Sequence, residues 1–261
     1  MASSAPKLLG LSRVQAGVWN RVRADGLRVL FLAVMALGAA FIIASSLAYF
    51  DLHELPPFAV EKLPVRFSTL WLASLRVHVA AALVSLPLCI LLMTRMVQRR
   101  RALHRWLGRV AGVLIVFVLV PSGAVLSFDA KGGALVTAGF LLSDALVAFF
   151  MVDGIAAARR RDLVTHRRAM GHVFAQMSVA VTSRAMLVGL DVAGVSPDLA
   201  YVIALWIPVV GSAAAAEMFY GVWWSKVRFL GRMTHGLSKV VRSLGSRTPA
   251  APARSVVRVG R

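Results

Sequence analysis

Two short runs hold the side chains best suited to chemistry. One reads Leu103-His104-Arg105-Trp106-Leu107-Gly108-Arg109 and the other Thr165-His166-Arg167-Arg168-Ala169-Met170-Gly171-His172. Imidazoles ligate haem iron and transition metals and titrate near neutral pH. A second set, Arg76, His78, Asp144 and Arg184, is embedded in apolar sequence, and two further acids, Asp153 and Glu217, approach the level of the histidine runs. An ionisable group at bilayer depth costs roughly 2.5–3.5 kcal/mol on insertion scales, so each needs a partner or a wet cavity.

The elements that must position these groups follow from composition. Apolar residues make up 59% of the 261-residue chain, above the roughly 45–50% of soluble domains. A soluble globular fold is excluded. About 20 apolar residues cross a bilayer core as a helix. Six stretches qualify, at 29–50, 68–94, 109–128, 134–157, 170–192 and 200–224. The expected fold is therefore an all-α integral membrane protein with six transmembrane helices, spans 2 to 5 forming a four-helix core. The first span is too long for the apolar part of a cleavable signal peptide and reads as retained. A lone Cys89 excludes an intramolecular disulfide and a Cys-based zinc knuckle.

Charge sets the expected orientation. The net charge is +19, and 25 of the 30 Lys and Arg fall in residues 1–28, 95–109, 159–168 and 225–261. The alternate loops hold only Lys62, Arg66 and Lys131 among the basic residues, which places both termini in the cytoplasm and the protein in the inner (plasma) membrane. The domains expected are a basic amphipathic segment over 1–28, a six-helix transmembrane domain over 29–224 and a basic, partly disordered cytoplasmic tail over 225–261. Leu11, Val14, Val18 and Val22 in the first segment, and Leu230 to Leu244 in the tail, recur at helical spacing among basic residues. Such faces suit anionic lipid headgroups. The basic tail is read as an orientation signal and membrane contact, not as a nucleic-acid site.

Counting about 1.5 Å per residue from the helix ends puts Arg76, His78, Asp144 and Arg184 at one level, about 12–15 Å deep. They could form a salt bridge from Arg76 or Arg184 to Asp144 that holds the bundle together. They could equally line a polar cavity for an anionic or quinone-like ligand, or a proton relay. At the cytoplasmic side each histidine run sits just before a span. His104, Gly108, Gly112 and Gly123 share one face at 3.6 residues per turn. Small residues below a histidine give a porphyrin room, and they equally allow two helices to approach closely. His166 and His172 point about 120° apart, so at most one of them can partner His104. Zinc lacks an HxxxH or HExxH pair, and no hydrolase, P-loop or dinucleotide motif is present.

Residues 78–190 resemble a bacterial family of predicted membrane proteins, number two-three-zero-six in the domain-of-unknown-function series. The resemblance rests on His78, then His104-Arg105-Trp106-Leu107-Gly108-Arg109, Gly132-Gly133 with Gly139-Phe140, His166-Arg167-Arg168 with Met170, and Arg184. Ala169 and Ala111-Gly112 stand where the family has aromatic residues. The family is similar in helix layout to the two-haem b-type transmembrane cytochromes. That likeness implies one haem b at the cytoplasmic side, between His104 and either His166 or His172. Three functions remain open on sequence: a membrane protein of unassigned activity acting as a scaffold or partner-binding protein, a b-type haem redox protein, and a small-solute or proton-coupled carrier.

Overall fold

The computed structural model describes residues 5–51, 60 and 68–220. Among them every regular element is helical. We label these α1 (Ala5–Ser46), α2 (Ser68–Met93), a short α3 (Arg95–Arg99), α4 (Arg101–Ser127), α5 (Gly133–Arg159), α6 (Leu163–Val192) and α7 (Pro197–Tyr220). All but α3 provide a span, of 24 to 30 residues each, so every one exceeds the length a bilayer core requires. The chain is a multi-pass membrane protein. The tail over 225–261, its run from Leu230 to Leu244, and the side chains of the N-terminal amphipathic face lie outside the described residues.

Helices α2, α4, α5 and α6 close a ring in which each packs against the next, and α6 returns to α2. This ring is the four-helix core expected from the middle four spans. Its interior is filled by Ile90, Ile115, Leu119, Val147, Met151, Val173 and Met177. From outside, α1 adds Met35, Ala39 and Ile42 to that core. It crosses α6 at Gly38, where any Cβ would overlap the methyl groups of Val181. Polar clamps fix both ends of the first span, Asp25–Phe50. Arg95 pairs with Asp25 and Arg28 donates to the Met93 carbonyl at one end, while Arg76 donates to the carbonyls of Tyr49 and Asp51, each at 3.2 Å, at the other.

On the opposite flank α7 lies against α5 and α6. Val136, Val179, Leu205 and Val209 form a second core there, and the Trp206 indole donates to the Leu135 carbonyl at 3.0 Å. Large apolar side chains such as Leu37, Phe41, Phe117 and Phe219 face outward. That surface needs a hydrocarbon solvent, which the bilayer supplies.

Two helices begin earlier than their apolar stretches. Expected from residues 109 and 170, they start at Arg101 and Leu163. Arginine breaks a hydropathy run but is a good helix former. His104 and His166 therefore sit in the first turns of α4 and α6, not in the connections before them. A second departure lies within α4, where Ile115–Leu119 forms a π turn and the Val120 N–H reaches back to the Ile115 carbonyl. Pro121 follows and has no N–H to donate, which favours a widened turn. The π turn interrupts the 3.6-residue phase between Gly112 and Gly123, yet both glycines turn to α5, Gly112 to Met151 and Ile155 and Gly123 to Asp144.

Candidate functional site

The start of α6 is built by its cap. Asp162 accepts hydrogen bonds from the backbone of Val164 and Thr165, at 3.2 and 3.1 Å, and from the Thr165 hydroxyl at 2.6 Å. The Thr165 hydroxyl and the two amides hold the Asp162 carboxyl below its ordinary range. A carboxyl depressed in the folded state stabilises fully above its unfolded value near pH 4, and that contribution fades as pH falls through the depressed value. Asp162→Ala is expected to cost about 0.5–2 kcal/mol of cap stability and to fray the turn holding His166. Hydrogen exchange of the Val164–His166 amides above pH 5 would measure it, and the difference from the unsubstituted protein should shrink in acid.

The structure divides His104, His166 and His172 between two places. His104 and His166 face each other across α4 and α6, ring centres 6.3 Å apart and planes crossed at 87°. The His166 Nδ1–H donates to the Gly154 carbonyl at 2.9 Å, because a carbonyl can only accept, and this leaves Nε2 as the lone-pair nitrogen. The His104 Nδ1 is buried and has no hydrogen-bond partner among the described residues. Each ring thus offers one uncommitted nitrogen. Gly154 presses so closely on α6 that an added Cβ would meet Ala169 at 3.1 Å and overlap the end of Met170.

His172 belongs to a different group. It is 4% exposed, its Nε2–H donates to Glu217 on α7 at 3.0 Å, and the Phe150 ring of α5 stacks on it at 4.0 Å and 9°. Arg168 donates to both carboxylate oxygens of Glu217 at 2.8–3.2 Å. One helical step of four further, the amide of Gln176 donates to the Val209 carbonyl at 3.0 Å and to Ser212 at 3.1 Å, and its oxygen accepts from Ser143 at 3.2 Å. Arg168, His172 and Gln176 make a polar stripe on α6 that docks α7 and α5. Phe150, Gln176, Ser143 and Ser212 were missing from the sequence reading. The four-residue steps along α6 were the signal available for finding Gln176. Of the two acids, Glu217 reaches a histidine, and among the described residues no ion pair joins Asp153 to one.

At the other end, the structure separates the residues that share a level. Arg76 is held by the carbonyls of Tyr49 and Asp51, as above, and Arg184 donates to the Ala180 carbonyl of its own helix at 2.8 Å. No described ion pair joins either arginine to Asp144, so the salt bridge expected there does not form. His78 and Asp144 do turn to a common place. Both border the bare Cα of Gly123, where a Cβ would lie 2.9 Å from Asp144 Oδ2 and 3.1 Å from His78 Cε1.

A haem held by two histidines would need an uncommitted nitrogen on each and room beside them. The buried, unpartnered His104 Nδ1 and the free His166 Nε2 supply the nitrogens. Gly108, one turn along α4 from His104, has nothing within 4 Å of its Cβ position, whereas Gly112 is covered by Ile155 at 3.1 Å and Met151 at 3.9 Å. The donor set fits, with the open space beside Gly108. Zinc wants three or four protein ligands, and among the described residues no three His, Cys, Asp or Glu side chains group together.

A ring of four spanning helices, with imidazoles at one end and His78 and Asp144 turned to Gly123 towards the other, defines a polytopic helical membrane protein. The particular family follows from comparison. The model described as "Predicted membrane protein (DUF2306)" matches residues 75–220, more than half the chain, and the chain belongs to that family. The match runs from α2 through α7 and so includes the Glu217 contact. No curated protein and no solved structure matches the chain.

Proposed function

We propose that the protein is a b-type haem-binding redox protein of the bacterial inner membrane, with one haem between His104 of α4 and His166 of α6 on the cytoplasmic side. The facing imidazole pair is the observation that supports this. His104 and His166, their ring centres 6.3 Å apart, would be the residues to hold the iron. Gly154 acts as the positioning group, since its carbonyl fixes the tautomer of His166. Arg105 and Arg167, each next to a ligand histidine and exposed, suit carboxylates such as haem propionates.

Haem, when bound, supplies one-electron chemistry. A single site at one face exchanges electrons with a partner on that face and makes a poor wire across the bilayer. The basic segments favour both termini in the cytoplasm by the positive-inside rule, and they suit anionic headgroups. The test is an absorbance spectrum with iron analysis on detergent-purified protein from haem-replete cells. A Soret band and about one iron per chain are expected, both lost in His104→Ala. Iron-free protein with no such band would end the reading.

A further inference from the structure

Helices α4 and α6 carry His104 and His166 in their first turns, and two arginine runs stand at the corners of the chain beside them. Arg99, Arg100 and Arg101 join the end of α3 to the start of α4, and Arg159, Arg160 and Arg161 join the end of α5 to the Asp162 cap of α6. All six are exposed. Arg161 holds its charge in the left-handed backbone region, at φ 61°, where glycine or asparagine would sit with less strain. Such outliers cluster at functional positions.

The acids at this end are already committed. Asp25 pairs with Arg95, Asp162 caps α6 through both carboxylate oxygens, and Glu217 takes Arg168 and His172. Arg160 acts on Asp162 only electrostatically, and among the described residues no ion pair joins any of the six corner arginines to an acid. The charge that orients the chain during insertion is therefore left uncompensated in the folded protein. Headgroups reach the outer flank of a helix ring. The corners lie at or beyond the ends of the spans, where the ring ends in water.

We propose that this face docks a soluble one-electron carrier with an acidic surface. What the partner carries rests on the haem reading, whereas its acidic surface follows from the arginines alone. Complementary charge steers such encounters, raises association rates by about 10–10³-fold at low salt and suits the small, transient interfaces of electron transfer.

The test is binding of an acidic plant-type ferredoxin to the full-length protein in nanodiscs of zwitterionic phosphatidylcholine. The Kd should rise roughly tenfold between about 20 and 200 mM salt, as screening shortens the reach of the arginines. Arg100→Glu combined with Arg160→Glu should raise it roughly tenfold at low salt, and Arg100→Lys combined with Arg160→Lys should leave it near the unsubstituted value. Arg105 and Arg167 stay in place in both variants, so the Soret band reports haem loading separately. A salt-insensitive Kd, or equal Kd values for the Glu and Lys variants, overturns the proposal. So does loss of ferredoxin binding when phosphatidylglycerol is added to the nanodisc, since headgroups would then hold the corners. Iron-free protein that still binds ferredoxin ends the haem reading and leaves the acidic docking face supported. Haem-loaded protein that does not bind it ends the docking face alone.

Discussion

In protein purified from haem-replete cells, His166→Ala is expected to remove the Soret absorption and His172→Ala to retain it. The two residues are six apart on one helix, and their present partners separate them. The Nδ1–H of His166 is satisfied by the Gly154 carbonyl, which leaves its other nitrogen uncommitted. The Nε2–H of His172 is taken by Glu217, and one face of the ring is covered by Phe150. Ligation by His172 would need that contact broken and the buried ring turned. The expected pattern is complete loss of bound iron in His104→Ala and His166→Ala, against near-full occupancy in His172→Ala. The reverse pattern would move the site to the α5–α7 side and leave the 6.3 Å pair as an aromatic contact.

The second large effect falls on the closest approach of α5 and α6. Gly154→Val places a branched side chain against Ala169 and Met170, where even a Cβ is crowded. Overpacking of this kind costs about 1–3 kcal/mol. It should also shift the carbonyl that holds His166, so both the unfolding midpoint in detergent and haem retention are expected to fall. Gly211→Ala on α7 is the matched control, because nothing lies within 4 Å of its Cβ position. That substitution should be neutral or mildly stabilising, by at most about 1 kcal/mol. Equal effects at the two glycines would mean that the α5–α6 crossing is looser than described.

The spans were readable from sequence because hydrocarbon length is a one-dimensional requirement, met or failed residue by residue. What hydropathy could not give was where α4 and α6 begin, since Arg101, Arg105, Arg167 and Arg168 interrupt apolarity without interrupting a helix. The partner of His172 was hidden for a different reason: Glu217 is distant in sequence and on another helix, and a pairing of that kind has no local signature. Gln176 was overlooked because it is uncharged, although it is 3% exposed and joins three helices. The level shared by Arg76, His78, Asp144 and Arg184 was readable, but common height is not contact. Azimuth decided it, turning His78 and Asp144 towards Gly123 and Arg76 towards the carbonyls of Tyr49 and Asp51.

The widened turn in α4 behaves as a one-residue insertion absorbed within a membrane helix. Deleting one residue from 115–119 would restore regular winding and swing everything beyond it by about 100°. His104 would stay where it is while Gly123 left the space between His78 and Asp144. The two ends of α4 are thus indexed independently, and a single-codon deletion would strip His78 and Asp144 of their shared neighbour without touching either residue.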